Sequence, residues 1–156
     1  MAGSAQFSDV VESLLSRGVR VRFRAAGTSM LPTVRDGEHL IVAPVSAREI
    51  VRGDVVLCET WRGPIAHRVE AVETDAAGAS LFLLRGDASL SRDRPVPASA
   101  LLGRVVGVER AGRTLSVAFP GGELVRRWVS ATLRLRPTLD AARGWLAPTG
   151  APRPTR

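Results

Sequence analysis

A chain of 156 residues, 45% hydrophobic and 24% charged, is long enough for one globular domain with a substantial core and too apolar to be intrinsically disordered. All 22 basic residues are arginine, so no lysine is available as a general base; histidine, carboxylates and the terminal amine remain for proton transfer near neutral pH. The net charge of +7 is uneven, since residues 1–35 hold five arginines against two acids, 36–120 hold ten against eleven, and 121–156 hold seven against two. A nearly neutral body with a basic tail is expected.

In chain order, residues 5–17 place Phe7, Val10, Val11, Leu14 and Leu15 at helical spacing, and Gly18 marks the stop. Residues 19–25, VRVRFRA, alternate strictly and predict a strand with Val19, Val21 and Phe23 inward. A bend, GTSMLPTV at 27–34, precedes Asp36-Gly37 and a second strand, EHLIVAP. Further strands are predicted at 53–59 (GDVVLCE), 65–72 (IAHRVEAV), 80–86 (SLFLLRG), 101–110 (LLGRVVGVER) and 113–119 (RTLSVAF). Seven short strands separated by turn signals predict an all-β barrel or sandwich. The tripeptide Arg-Gly-Asp, at 52–54 and 85–87, is turn chemistry at strand ends.

After PGG at 120–122 the pattern changes. ELVRRWVSATLRLR suits a helix with Leu124, Trp128, Ala131, Thr132 and Leu135 on one side and Arg126, Arg127, Ser130 and Arg134 on the other. Pro137 ends it, and LDAARGWLAP suits a short second helix before a disordered Pro/Arg end. The chain thus divides into 1–120 and a basic tail, 121–156. Residues 124–146 fit either an anionic membrane surface, with Trp128 and Trp145 at the interface, or packing against the barrel or a partner.

The single Cys58 excludes an internal disulfide framework, fits a reducing compartment and reads as a buried small hydrophobe. No run approaches 18 apolar residues, and the N-terminus carries acids where a signal peptide needs positive charge. The expected location is cytoplasmic, peripheral at the inner membrane surface if the tail meets lipid. No nucleic-acid partner is expected, because no aromatics interleave the basic strands. Two histidines and one cysteine, 19 and 9 residues apart, do not make a metal site, and no cofactor is expected.

His39 follows a turn and reads as a surface strand residue, whereas His67 sits inside an otherwise apolar strand. Ser29 lies in a bend between Gly27 and Pro32. Taken singly, each has an ordinary structural role: a strand histidine, a turn serine. The order of segments says more. GTSMLPTV, RGDVVL, AHRVEAV and LRGDAS, over residues 19–110, resemble in sequence and spacing the boxes of the signal peptidase I superfamily of serine peptidases, which includes the self-cleaving SOS repressors. Bacterial members carry Lys in the third box; archaeal and endoplasmic-reticulum signal peptidases carry His, and this chain resembles those.

The resemblance implies a mainly β fold, a partly open β-barrel of the signal peptidase type, with a short N-terminal helix and a C-terminal helical tail. It implies Ser29 as nucleophile, His67 as general base, and Asp87 or Asp93 as the carboxylate orienting the imidazole. Gly27, Ser29 and Met30 would surround the oxyanion, and a peptide or protein substrate would lie extended along a strand. The chemistry is coherent: lowering a lysine pKa from about 10.4 to neutrality costs on the order of 4 kcal/mol, whereas histidine starts at about 6.5 and needs an orienting partner instead. The alternative is a non-catalytic peptide-binding barrel that keeps the same scaffold.

Overall fold

The computed structural model describes residues 2–117, with side chains in the first helix from Gln6 onward; the expected tail, 121–156, lies outside them. Within this span the protein is mainly β, a curled antiparallel half-barrel sheet carrying one N-terminal helix. The elements are α1 (Ala2–Ser16), β1 (Val21–Arg24), β2 (His39–Ala43), β3 (Val55–Cys58), β4 (Ile65–Thr74), β5 (Ser80–Arg85), β6 (Val96–Pro97), β7 (Leu101–Arg110) and β8 (Arg113–Leu115). None of the described helices is long and apolar enough to cross a membrane.

Helix α1 ends as its sequence predicts. Gly18 adopts φ +79°, and the amides of Gly18 and Val19 turn back onto the carbonyls of Leu15 and Leu14 at 2.9 and 3.0 Å. This cap corrects one expectation: because the Val19 amide belongs to the helix end, the first strand starts only at Val21 and Val19 is 46% exposed. The inward face of α1, Val11 and Leu15, lies on the sheet with both residues buried. Gly103 of β7 permits the approach, since a Cβ there would stand 2.7 Å from Val42 Cγ1 and 3.0 Å from Leu15 Cδ1.

Strand order is β1-β2-β7-β3-β4-β5-β6, and β8 also pairs with β7. Long β7 is the hub. One edge takes β2 (Leu40↔Val108, Val42↔Val105); the other takes β3 (Val55↔Val105, Leu57↔Gly103) and then β8 (Val108↔Leu115). Register shifts at Ile41/Val42, Leu57/Cys58 and Val69/Ala71 add the local bends a curled sheet needs.

The apolar run VVLC has no alternation because β3 is buried on both faces. Val55 and Leu57 join Val11, Leu15, Met30, Leu40 and Val105 beneath α1. Val56 and Cys58 join Ile50, Val69, Phe82, Leu84 and Val96 on the other side. Each such side chain contributes about 1.5–3 kcal/mol by leaving water. Burial, reinforced by the nearby Asp93 and Glu59 charges, pushes the Cys58 thiol up to about 12, so it packs and does not react.

One further strand is shorter than its sequence pattern and one was not expected. The expected strand 113–119 ends at Leu115, with Val117 turned into the core. The short β6, pairing Phe82↔Val96 and Leu81↔Pro97 at the sheet edge, was hidden by the prolines at 95 and 97, which belong to edge positions.

Candidate active site

The bend carrying Ser29 is an excursion from the β1–β2 hairpin. Its neck is closed by Ala25 N–H donating to Glu38 O (2.7 Å) and Gly37 N–H donating to Ala25 O (2.9 Å). Gly27 takes φ +97°, a conformation that disfavours a side chain, and the chain then turns through 29–33. Val34 N–H donates to Met30 O at 2.9 Å, and Met30 is 5% exposed, packed into the core under the turn. The Leu31–Pro32 peptide is cis.

His67 comes from β4, where it pairs with Val56 of buried β3. Its Nε2 lies 2.9 Å from Ser29 Oγ and its Nδ1 lies 2.5 Å from Asp93 Oδ2. An ionised carboxylate only accepts hydrogen bonds, so Nδ1–H donates to Asp93 and the lone pair on Nε2 faces the serine hydroxyl. The imidazole is 10% exposed and the Asp93 carboxylate 30%, whereas Ser29 lies in an exposed part of the bend. Asp93 is held in turn, its amide donating to Leu84 O at 2.9 Å.

Of the two candidate aspartates, only Asp93 meets the histidine. Asp87 is 3% exposed and accepts both arms of the Arg68 guanidinium, Nε at 2.8 Å and Nη2 at 2.7 Å. Thr33 Oγ1–H also donates to Asp87. Arg68 extends the network through Nη1 to Gly53 O (2.7 Å) and Val117 O (3.3 Å). Asp87 thus ties the serine bend to β4 and to the end of β5, an anchoring task distinct from orienting the imidazole.

The segment around Asp87 also presses directly on Ser29. Ala88 N–H donates to Ser29 O at 2.8 Å, and a Cβ on Gly86 would stand 2.5 Å from that carbonyl oxygen. Only glycine fits there. The LRGDAS segment therefore acts as a clamp: Gly86 for clearance, Asp87 for the Arg68–Thr33 anchor, Ala88 for the backbone bond. Thr33, Arg68, Gly86 and Ala88 were not singled out from sequence; an arginine inside an otherwise apolar strand is the signal that could have marked Arg68.

One expected oxyanion donor is corrected. The Gly27 amide donates to Asp36 Oδ1 at 2.8 Å and closes the bend instead of facing an open site. Among the described residues, the Ser29 amide has no acceptor.

Two cavities share Ser29, Ile65 and His67. The first, about 280 Å³, runs under α1 and is walled chiefly by Phe7, Phe23, Met30, Leu40, Leu57 and Ala66. Phe7 meets Phe23 edge-on, with centroids 5.2 Å apart at 76°. The second, about 530 Å³, opens on the other side, between the β3–β4 loop and residues 93–97. No cluster of three or more metal-ligating side chains occurs among the described residues. No protein-family model, curated protein or solved structure matches the chain.

Proposed function

We propose that this protein is a serine endopeptidase of the signal peptidase I-like type, acting through Ser29, His67 and Asp93. The observation that carries this reading is the continuous relay from Asp93 Oδ2 through His67 to Ser29 Oγ, at 2.5 and 2.9 Å. Asp93 fixes the tautomer with Nδ1 protonated. Nε2 removes the hydroxyl proton as Oγ attacks a peptide carbonyl, and the oxyanion turns toward the Ser29 amide. The imidazolium then protonates the departing amine. Water, activated by the same nitrogen, releases the acyl group and restores the serine.

An extended substrate has a place to lie. Strand β5 pairs with β4 only from Arg68 onward, so the edge of Ile65–His67 away from β3 has no strand partner among the described residues. That edge borders the apolar cavity beside Ser29, and a peptide added there as a strand would present alternate side chains to it.

The test compares wild type with Ser29→Ala and His67→Ala on a peptide library between pH 5 and 8, alongside labelling by a hydroxyl-reactive phosphonate. Wild type cleaves and is labelled at Ser29, each variant loses on the order of 10⁶ in turnover, and activity declines as the imidazole takes up a proton. Equal cleavage by wild type and Ser29→Ala refutes the assignment and leaves a peptide-binding barrel.

A further inference from the structure

The two cavities that meet at Ser29 differ in charge. In the first, the one charged side chain besides the His67 site is Arg24, whose guanidinium folds against the Gly37 turn. The second is lined by four charged residues: Glu59, Arg62, Asp93 and Arg94. Both carboxylates are engaged, Glu59 by the Ser8 hydroxyl and Asp93 by His67. Neither arginine has a carboxylate partner among the described residues. Arg62 is stacked on Trp61, its guanidinium carbon 4.4 Å from the ring centroid, and Trp61 is 74% exposed. Nearby Arg92 behaves differently, being drawn off to Glu70 at 2.6 Å.

Two guanidinium groups without a carboxylate partner among the described residues therefore line the cavity that also reaches Ser29. We propose that the second cavity is a subsite for a substrate carboxylate, so that the preferred peptide carries an apolar residue on one side of the scissile bond and an acidic group on the other. This inference rests on the peptidase reading for its geometry. Guanidinium suits the task because its planar donors match a carboxylate in pairs and stay charged at any working pH. Stacking on Trp61 holds Arg62 over the cavity and limits the freedom lost on binding. An acidic side chain and the free carboxyl end of a short peptide offer the same chemistry, and both are tried.

The experiment uses Ser29→Ala protein and fluorescent peptides that place Glu, Gln or Arg on either side of an apolar residue, each with an amidated end. A fourth peptide is neutral with a free carboxyl end. Binding is followed by anisotropy, with the Arg62→Gln, Arg94→Gln and double variants on the same background. The Glu peptide binds tighter than the Gln peptide by up to about fivefold per arginine, the Arg peptide binds weakest, and about 1 M salt removes the difference. Preference for the free-ended neutral peptide would assign the subsite to a chain terminus rather than a side chain. Equal binding of Glu and Gln peptides, or a preference that survives loss of both arginines, overturns the proposal.

Wild-type cleavage separates the two readings. Cleavage with the same KM for Glu and Gln peptides removes the subsite and leaves the peptidase. Charge-selective binding without any cleavage does the reverse, and absence of both binding and cleavage removes both.

Discussion

Asp93 and Ser29 occupy opposite nitrogens of one ring: the carboxylate is on Nδ1 of His67, the hydroxyl on Nε2. Asparagine at 93 would keep the shape but could offer its amide N–H to Nδ1, placing the ring proton on the serine side. Asp93→Asn is expected to lower kcat by roughly 10⁴ with little change in KM. Folding stability should stay near wild type, as denaturant unfolding would check.

Asp87 is predicted to behave in the opposite way. Its removal strands the Arg68 guanidinium, whose side chain is 10% exposed, without its counter-charge. Asp87→Ala should cost about 3–5 kcal/mol of stability, read from the midpoint of urea unfolding. Activity should fall in step with the folded fraction. A fully folded, inactive Asp87→Ala protein would contradict the anchoring role.

Phe7 makes helix α1 part of the apolar cavity. Phe7→Ala should enlarge that space and relax selection, raising cleavage of a peptide with a large apolar residue by about 10-fold relative to one with a small residue. Loss of the edge-on pair with Phe23 adds a stability cost of about 1 kcal/mol. Matched values of kcat/KM for the two peptides in both proteins provide the check, and an unchanged ratio would show that the helix does not set the size of the site.

The exit of the serine bend depends on a charge pair. Arg110 donates to the Glu38 carboxylate and, at 3.2 Å, to Thr33 O. Hydrogen bonding from Arg110, aided by the Arg35 amide, holds the Glu38 carboxyl below its ordinary value of 4.5. A lowered folded value means stability that is complete above the ordinary range and is lost as pH falls through the folded value beneath it. Arg110→Met should therefore destabilise on the order of 1 kcal/mol at pH 7 and by less at a pH low enough to protonate the Glu38 carboxyl in the folded protein. Equal losses at the two pH values would place the whole effect on the Thr33 contact.

The elements most legible in the sequence were those whose local signals agree. Helix α1 was marked by its apolar spacing and Gly18, and β7 was bounded as found because its run is long and unbroken. Strand β6 was not legible, since Val96 and Pro97, following Pro95, become a strand only through Phe82 and Leu81 on the neighbouring segment. At the site, the resemblance offered both Asp87 and Asp93, and the sequence leaned to Asp87 without separating them. What separates them is the burial of Arg68, a fact about β4 packed against β3 that no local pattern around Gly86-Asp87 contains. The Gly27 amide was misjudged for a similar reason: its acceptor, Asp36, sits across the bend, and only the closed loop brings them together.

The contact of Gly86 and Ala88 against the Ser29 carbonyl means that the serine's setting is completed only by a segment that follows β5 in the chain. A ribosome-bound chain that has delivered the serine but not yet the segment beyond β5 would lack that clamp. Under the proposed reading, reactivity would be switched on by the completion of folding itself.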